Sequence, residues 1–146
     1  MAYDIIVIDC GPVHGMLHTN ILCAANYCLM VSDCSIDGRD ALEPTRDAVL
    51  EVRDNLNDAL KILGVAITKY EQVTKDGQVT KNEIYQFGEV LGEKVFDTKI
   101  RQSAAVAKAK RAHKTVIAFA PKSNTSIDYM NLADEIISEL REKGEL

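Results

Sequence analysis

Short β-branched runs alternate with amphipathic helical stretches along the whole chain, and this alternation restricts the fold more than any other feature. Ile5, Ile6, Val7 and Ile8 form a continuous apolar run without polar alternation, which suits a strand buried on both faces of a parallel sheet. Further strands are expected at 27–32, 60–68, 95–100 and 116–120, with 95–100, shorter and more polar, nearer an edge. Helices are expected at 19–25, 39–56, 79–91, 103–113 and 129–142. The segment 69–78, with its Asp76-Gly77 turn signal, reads as a loop, and Ser126 or Asp128 as the cap of the last helix. Strands that alternate with helices argue for an α/β fold: a mostly parallel sheet with helices on both faces. No repeat, linker or low-complexity tract divides the sequence, so residues 1–146 read as a single domain.

Composition narrows the class. The chain has 146 residues, 47% of them hydrophobic and 27% charged, as expected of a soluble globular protein with a real core. No apolar run approaches the length of a membrane span, and no basic segment precedes the first apolar run as in a signal peptide. Cytoplasmic location is the resulting expectation. Cys10, Cys23, Cys28 and Cys34 form no CxxC pair, so reduced thiols, three of them in buried or near-buried elements, are expected rather than zinc. The formal net charge of −5 is unevenly spread. Between residues 98 and 114 lie Lys99, Arg101, Lys108, Lys110, Arg111 and Lys114 with no acid, a concentrated basic stretch suited to an anionic partner.

Individual residues carry candidate chemistry. Asp9 ends the first apolar run, and ligands bind at the carboxyl ends of strands in open α/β sheets. It either caps the following segment or serves as a carboxylate beside Mg²⁺. His14 and His18 are four apart, but no third metal ligand accompanies them, and a surface or switch-loop role is expected. Asp33, Asp37 and Asp40 follow a strand end and read as a solvated loop with a helix cap, or as part of a cation site.

The stretch YDIIVIDCGPVHGMLHTNILCAA is similar to the Walker B strand and switch segment of the ParA/MinD group of P-loop ATPases, closest to the Soj-like ParA branch. Asp9, Cys10, Pro12, Gly15, Thr19 and Asn20 match that pattern, while Gly11 and His14 depart from it. ILGVAITKY resembles the family's later strand through Thr68 and Tyr70. The stretch from Val95 onward resembles its final third through Phe96, Thr98, Ile100, Lys114, Pro121, Lys122 and Ser123.

The resemblance covers nearly the whole chain but only the carboxyl-terminal half of the family's ATPase domain, and so implies a partial P-loop NTPase fold. It implies ATP and Mg²⁺ as cofactors, with Asp9 on the metal side. It places Thr68, Tyr70, Ile100, Arg101 and Gln102 around the nucleotide. It also implies plasmid or chromosome partitioning, a ParB-like partner, and non-specific DNA contact, for which Lys108, Lys110, Arg111 and Lys114 are the candidates.

The Gly-rich, lysine-containing Walker A loop has no counterpart: no Gly-Lys is followed by Ser or Thr. The expectation is therefore a chain that does not hydrolyse ATP alone. Its first strand would lack a neighbour, and a homo-oligomer, a strand rearrangement or an amino-terminal half supplied by another polypeptide is expected to compensate. The alternative is a non-enzymatic oligomerisation, DNA-binding or partner-binding module derived from such an ATPase. A MinD-like membrane role is disfavoured, because Asp134, Glu135, Glu139, Glu142 and Glu145 outnumber Arg141 and Lys143 in the tail, the wrong sign for anionic lipid.

Overall fold

The computed structural model describes residues 3–11, 15–71 and 75–146. Three parallel strands form the sheet in the order β1 (Tyr27–Asp33), β2 (Lys61–Tyr70), β3 (Val95–Arg101). Parallel neighbours need crossovers, and helices supply them. The helices α2 (Ile36–Asp40) and α3 (Leu42–Asn55) connect β1 to β2, and α4 (Lys75–Leu91) connects β2 to β3. Ahead of β1 lies α1 (Met16–Ala24). After β3 come α5 (Ala104–Arg111), the single turn α6 (Val116–Phe119) and the long α7 (Asn124–Glu142). The α/β architecture with helices on both faces is as the alternation predicts.

The two faces of the sheet bury different sets. Leu63, Ala66, Phe96 and Ile100 pack with Leu132 and Leu140 of α7. Met30, Val65 and Ile67 pack with Leu42 of α3 and Ile84 of α4. Leu22 of α1 joins Val49, Val52 and Leu60 in a third cluster. Residue parity along β2 changes at Gly64, because the β1–β2 register slips between Cys28↔Ile62 and Leu29↔Gly64. The bulge lets Leu63 and Ala66 share one face despite their odd spacing. Gly64 has φ +148°, and a Cβ there would meet the Lys94 carbonyl at 2.8 Å and the Phe96 ring at 2.9 Å, so only glycine fits.

Two expected strands are absent. Residues 5–8 form no ladder: Ile6 is 73% and Val7 88% exposed, and Ile5 and Ile8 are also largely open. A lone strand cannot satisfy its own N–H and C=O groups, and no neighbouring strand pairs with it among the described residues. Residues 116–120 also do not extend the sheet. Thr115 caps α6 by accepting from Ala118 N (3.2 Å), and the buried Ser126 hydroxyl donates to the carbonyls of Ala120 (2.7 Å) and Val116 (3.1 Å). The β3 edge that such a strand would need is already occupied by α7, as described below.

Smaller differences follow from caps. The N-cap of α7 is Ser123, not Ser126 or Asp128, so the helix begins five residues before position 129. Lys69 and Tyr70 belong to β2, and α4 begins at Lys75 inside the expected loop; residues 72–74 lie outside the described residues. All four cysteines are free, but Cys10 and Cys23 are exposed, and only Cys28 and Cys34 are partly buried. Burial, with Cys10 nearby, pushes the Cys28 thiol up to about 11.

Candidate functional site

The three strands end together. Asp33, Tyr70 and Arg101 are the last residues of β1, β2 and β3, so their carboxyl ends form one edge of the sheet. Such an edge is where open α/β sheets place ligands. An open depression of about 440 Å³ lies there, lined by Val31, Asp33, Ser35, Asp37, Gly38, Thr68 and Lys69.

Local chemistry organises this depression. Ser35 caps α2 by accepting from Gly38 N at 3.0 Å, and its hydroxyl donates to Asp33. A side chain on Gly38 would collide with the Asp33 carboxylate, so glycine permits the tight return. Lys69 turns back in the left-handed region at φ 49° and pairs with Asp33 at 3.0 Å. The Ser35 hydroxyl and the Lys69 ammonium together hold the Asp33 carboxyl below its ordinary value. Thr68 donates to the Ser32 carbonyl at 3.4 Å, within the same edge. Of the three acids expected near this strand end, Asp33 lines the depression with Asp37, whereas Asp40 pairs with Arg39.

On the β3 side the edge is fixed by α7. Asp128, only 5% exposed, accepts from Arg101 N (3.1 Å), Nε (2.9 Å) and Nη2 (2.6 Å). Thr125 donates to the Arg101 carbonyl at 3.4 Å. Gln102 N donates to the Tyr70 carbonyl at 3.1 Å, tying the ends of β2 and β3. Ser103 then caps α5 by accepting from Ala105 N.

Of the residues singled out in the sequence, Thr68, Tyr70, Arg101 and Gln102 therefore share this edge. Ile100 is 3% exposed and serves the core beside it. Asp9 is exposed in the irregular segment ahead of α1. Pro12 and His14 lie outside the described residues. His18 lines a separate groove between α1 and α3, with Asp47 and Glu51. Among the described residues no group of three or more His, Cys, Asp or Glu gathers to hold a metal ion. Lys108, Lys110, Arg111 and Lys114 are exposed at the carboxyl end of α5 and just beyond it, where cations also favour the helix dipole. None of these four forms an ion pair among the described residues.

The comparisons with known proteins agree with this architecture. A family model described as an AAA domain matches residues 1–62. An uncharacterized protein of Mycobacterium tuberculosis is 32% identical over 136 residues, 92% of this chain and 42% of that protein. The chromosome partitioning protein ParA of Caulobacter vibrioides is 30% identical over 142 residues, 97% of this chain and 52% of ParA. The chain resembles the ParA and Soj partition ATPases. The sporulation initiation inhibitor protein Soj of Bacillus subtilis extends the likeness, at 29% identity over 134 residues, 92% of this chain and 52% of Soj. The chain spans about half the length of the curated relatives it matches. The parallel α/β sheet is consistent with a partial P-loop NTPase fold of the ParA/Soj kind.

Two residues of this edge escape a sequence reading: Asp128, read only as a helix cap, and Glu135, read only as a tail acid. Their partners are main-chain amides of β3, which no spacing rule reveals. Among the described residues no helix is long and apolar enough to cross a membrane.

Proposed function

We propose that the chain is the carboxyl-terminal half of a ParA-like DNA-segregation ATPase. In this reading the strand ends at Thr68, Tyr70, Arg101 and Gln102, with Ile100 behind them, enclose the base of ATP, and Asp9 faces Mg²⁺. The observation that supports it most is the convergence of those residues on one sheet edge in a chain that resembles ParA and Soj. Phosphoryl transfer asks a protein for little beyond positioning and charge stabilisation, and a Gly-rich loop with its lysine supplies most of both. This chain has no such loop, so by itself it does not hydrolyse ATP. The basic residues Lys108, Lys110, Arg111 and Lys114 contact DNA phosphates without reading sequence. A ParB-like protein is the expected partner, and the cytoplasm the expected location.

A second reading is a non-enzymatic DNA- or partner-binding module. It is favoured by those same four cations, which stand exposed and free of ion pairs among the described residues. Isothermal titration of Mg²⁺-ATP into the pure chain separates the two. Saturable binding that Arg101→Ala weakens supports a nucleotide site at this edge. No heat at any protein concentration leaves the module reading.

A further inference from the structure

The cations at the carboxyl edge of the sheet are already neutralised within the protein. Lys69 of β2 pairs with Asp33 at 3.0 Å. Arg101 of β3 donates through Nε and Nη2 to Asp128, at 2.9 and 2.6 Å. Lys99, two residues earlier on β3, holds its ammonium over the Tyr85 ring of α4, 5.2 Å from the centroid. Asp37 lines the depression beside Asp33 and Lys69 and forms no ion pair among the described residues. Two carboxylates thus face one ammonium in the lining, a net negative charge.

The main-chain donors are engaged as well. Gly38 N donates to the Ser35 hydroxyl, Arg101 N to Asp128, Gln102 N to the Tyr70 carbonyl and Ala105 N to the Ser103 hydroxyl. Phosphate recognition needs uncommitted N–H groups and a positive potential. These four amides cannot supply the first, and the lining charge opposes the second, so the phosphates of ATP do not fit this edge. What remains suits a neutral ligand. The Asp37 carboxylate and the Gln102 side-chain amide are exposed and have no hydrogen-bond partner among the described residues. A carboxylate accepts from ribose hydroxyls, and an amide both donates and accepts, as the edge of a base requires. Val31, 61% exposed, adds apolar surface to a depression whose 440 Å³ is of the size of small-ligand clefts.

We propose that this edge is a nucleoside site: it takes the base and ribose of an adenine nucleotide and draws no affinity from the phosphates. This rests on the nucleotide reading of the edge and narrows it to the uncharged part of the ligand. Two carboxylates set that selectivity, Asp33 by masking Lys69 and Asp128 by masking Arg101. Removing either one exposes a cation at the strand ends and creates a dependence on phosphate that the native chain lacks.

Amide chemical-shift titrations of the full chain with adenosine, AMP, ADP and ATP, without divalent metal, test this. All four are expected to move the amides of 68–70 and 101–103. Their dissociation constants are expected to agree within about threefold and to stay unchanged between about 50 and about 300 mM salt. Asp33→Asn and Asp128→Asn are each expected to tighten ATP at least about fivefold, to leave adenosine unchanged, and to make the ATP affinity fall with salt. A purely structural role for either carboxylate would weaken both ligands alike. Asp33 is the less buried of the two, so Asp33→Asn carries the test if Asp128→Asn does not fold. ATP that binds the native chain more than about tenfold tighter than adenosine overturns the proposal and leaves the nucleotide site standing. So do equal affinities that neither variant separates. If neither adenosine nor ATP moves these amides, the proposal and the nucleotide reading fall together.

Discussion

Gly64 shows how one residue sets the shape of the sheet. Its positive φ and the approach of the Lys94 carbonyl leave no room for a Cβ, and the obstacle is backbone that cannot swing aside. Gly64→Ala is expected to cost about 2 kcal/mol or more, read as a lower urea midpoint with an unchanged slope. Asp128 is the second such residue. Its Arg101 guanidinium holds its carboxyl below the ordinary value, against the opposing effect of burial. A depressed carboxylate contributes stability that is complete above its unfolded pKa, about 3.9, and is lost as pH falls through the lower folded value. Asp128→Asn is expected to flatten the acid limb of stability against pH in that window. Its cost at pH 7 is about 1–2 kcal/mol, toward the lower end because the Arg101 side chain is 41% exposed and already solvated.

Among the elements, α7 does the most to organise the chain. Asp128, Leu132, Glu135, Ile136, Glu139 and Leu140 recur at three- and four-residue spacings, so one stripe carries both apolar contacts and carboxylates to β3. Glu139 engages Lys94 and Lys143, and those two cations lower its carboxyl. Glu135 is lowered as well: burial raises it, but the amides of Asp97 and Thr98 outweigh that. The short α6 depends on the same helix through the Ser126 hydroxyl. Ser126→Ala removes the donor to Val116 and Ala120 and is expected to cost about 1 kcal/mol, with hydrogen exchange of 116–120 rising more than that of the sheet. The apolar pattern of 116–120 reads as a strand, and tertiary hydrogen bonds override it. The long helices α3, α4 and α7 and the strands β1 to β3 were legible, because their periodicity spans enough residues to outweigh local ambiguity.

For the whole molecule, charge separation is the feature with the widest consequence. The basic stretch around α5 stands on an otherwise acidic chain, so any DNA contact would be confined to that side. If Lys108, Lys110, Arg111 and Lys114 all contact phosphates, log affinity falls with log salt at a slope of about −3.6, from about −0.9 per contact. Filter binding or fluorescence anisotropy across a salt series measures it. A charge reversal at Lys108 and Arg111 is expected to flatten the slope by about 2, whereas an affinity indifferent to salt removes DNA from the proposed partners. The sequence by itself determined the α/β class, the order of the long elements, the likeness to partition ATPases and the position of the basic stretch. Each of these lies in local periodicity, composition or ordered motifs, which survive without knowledge of contacts. Only the tertiary structure decided which apolar runs became strands and that α7 seals β3 through Asp128 and Glu135. Those outcomes depend on which main-chain amides find acceptors far away in sequence, and no pattern along the chain encodes that pairing.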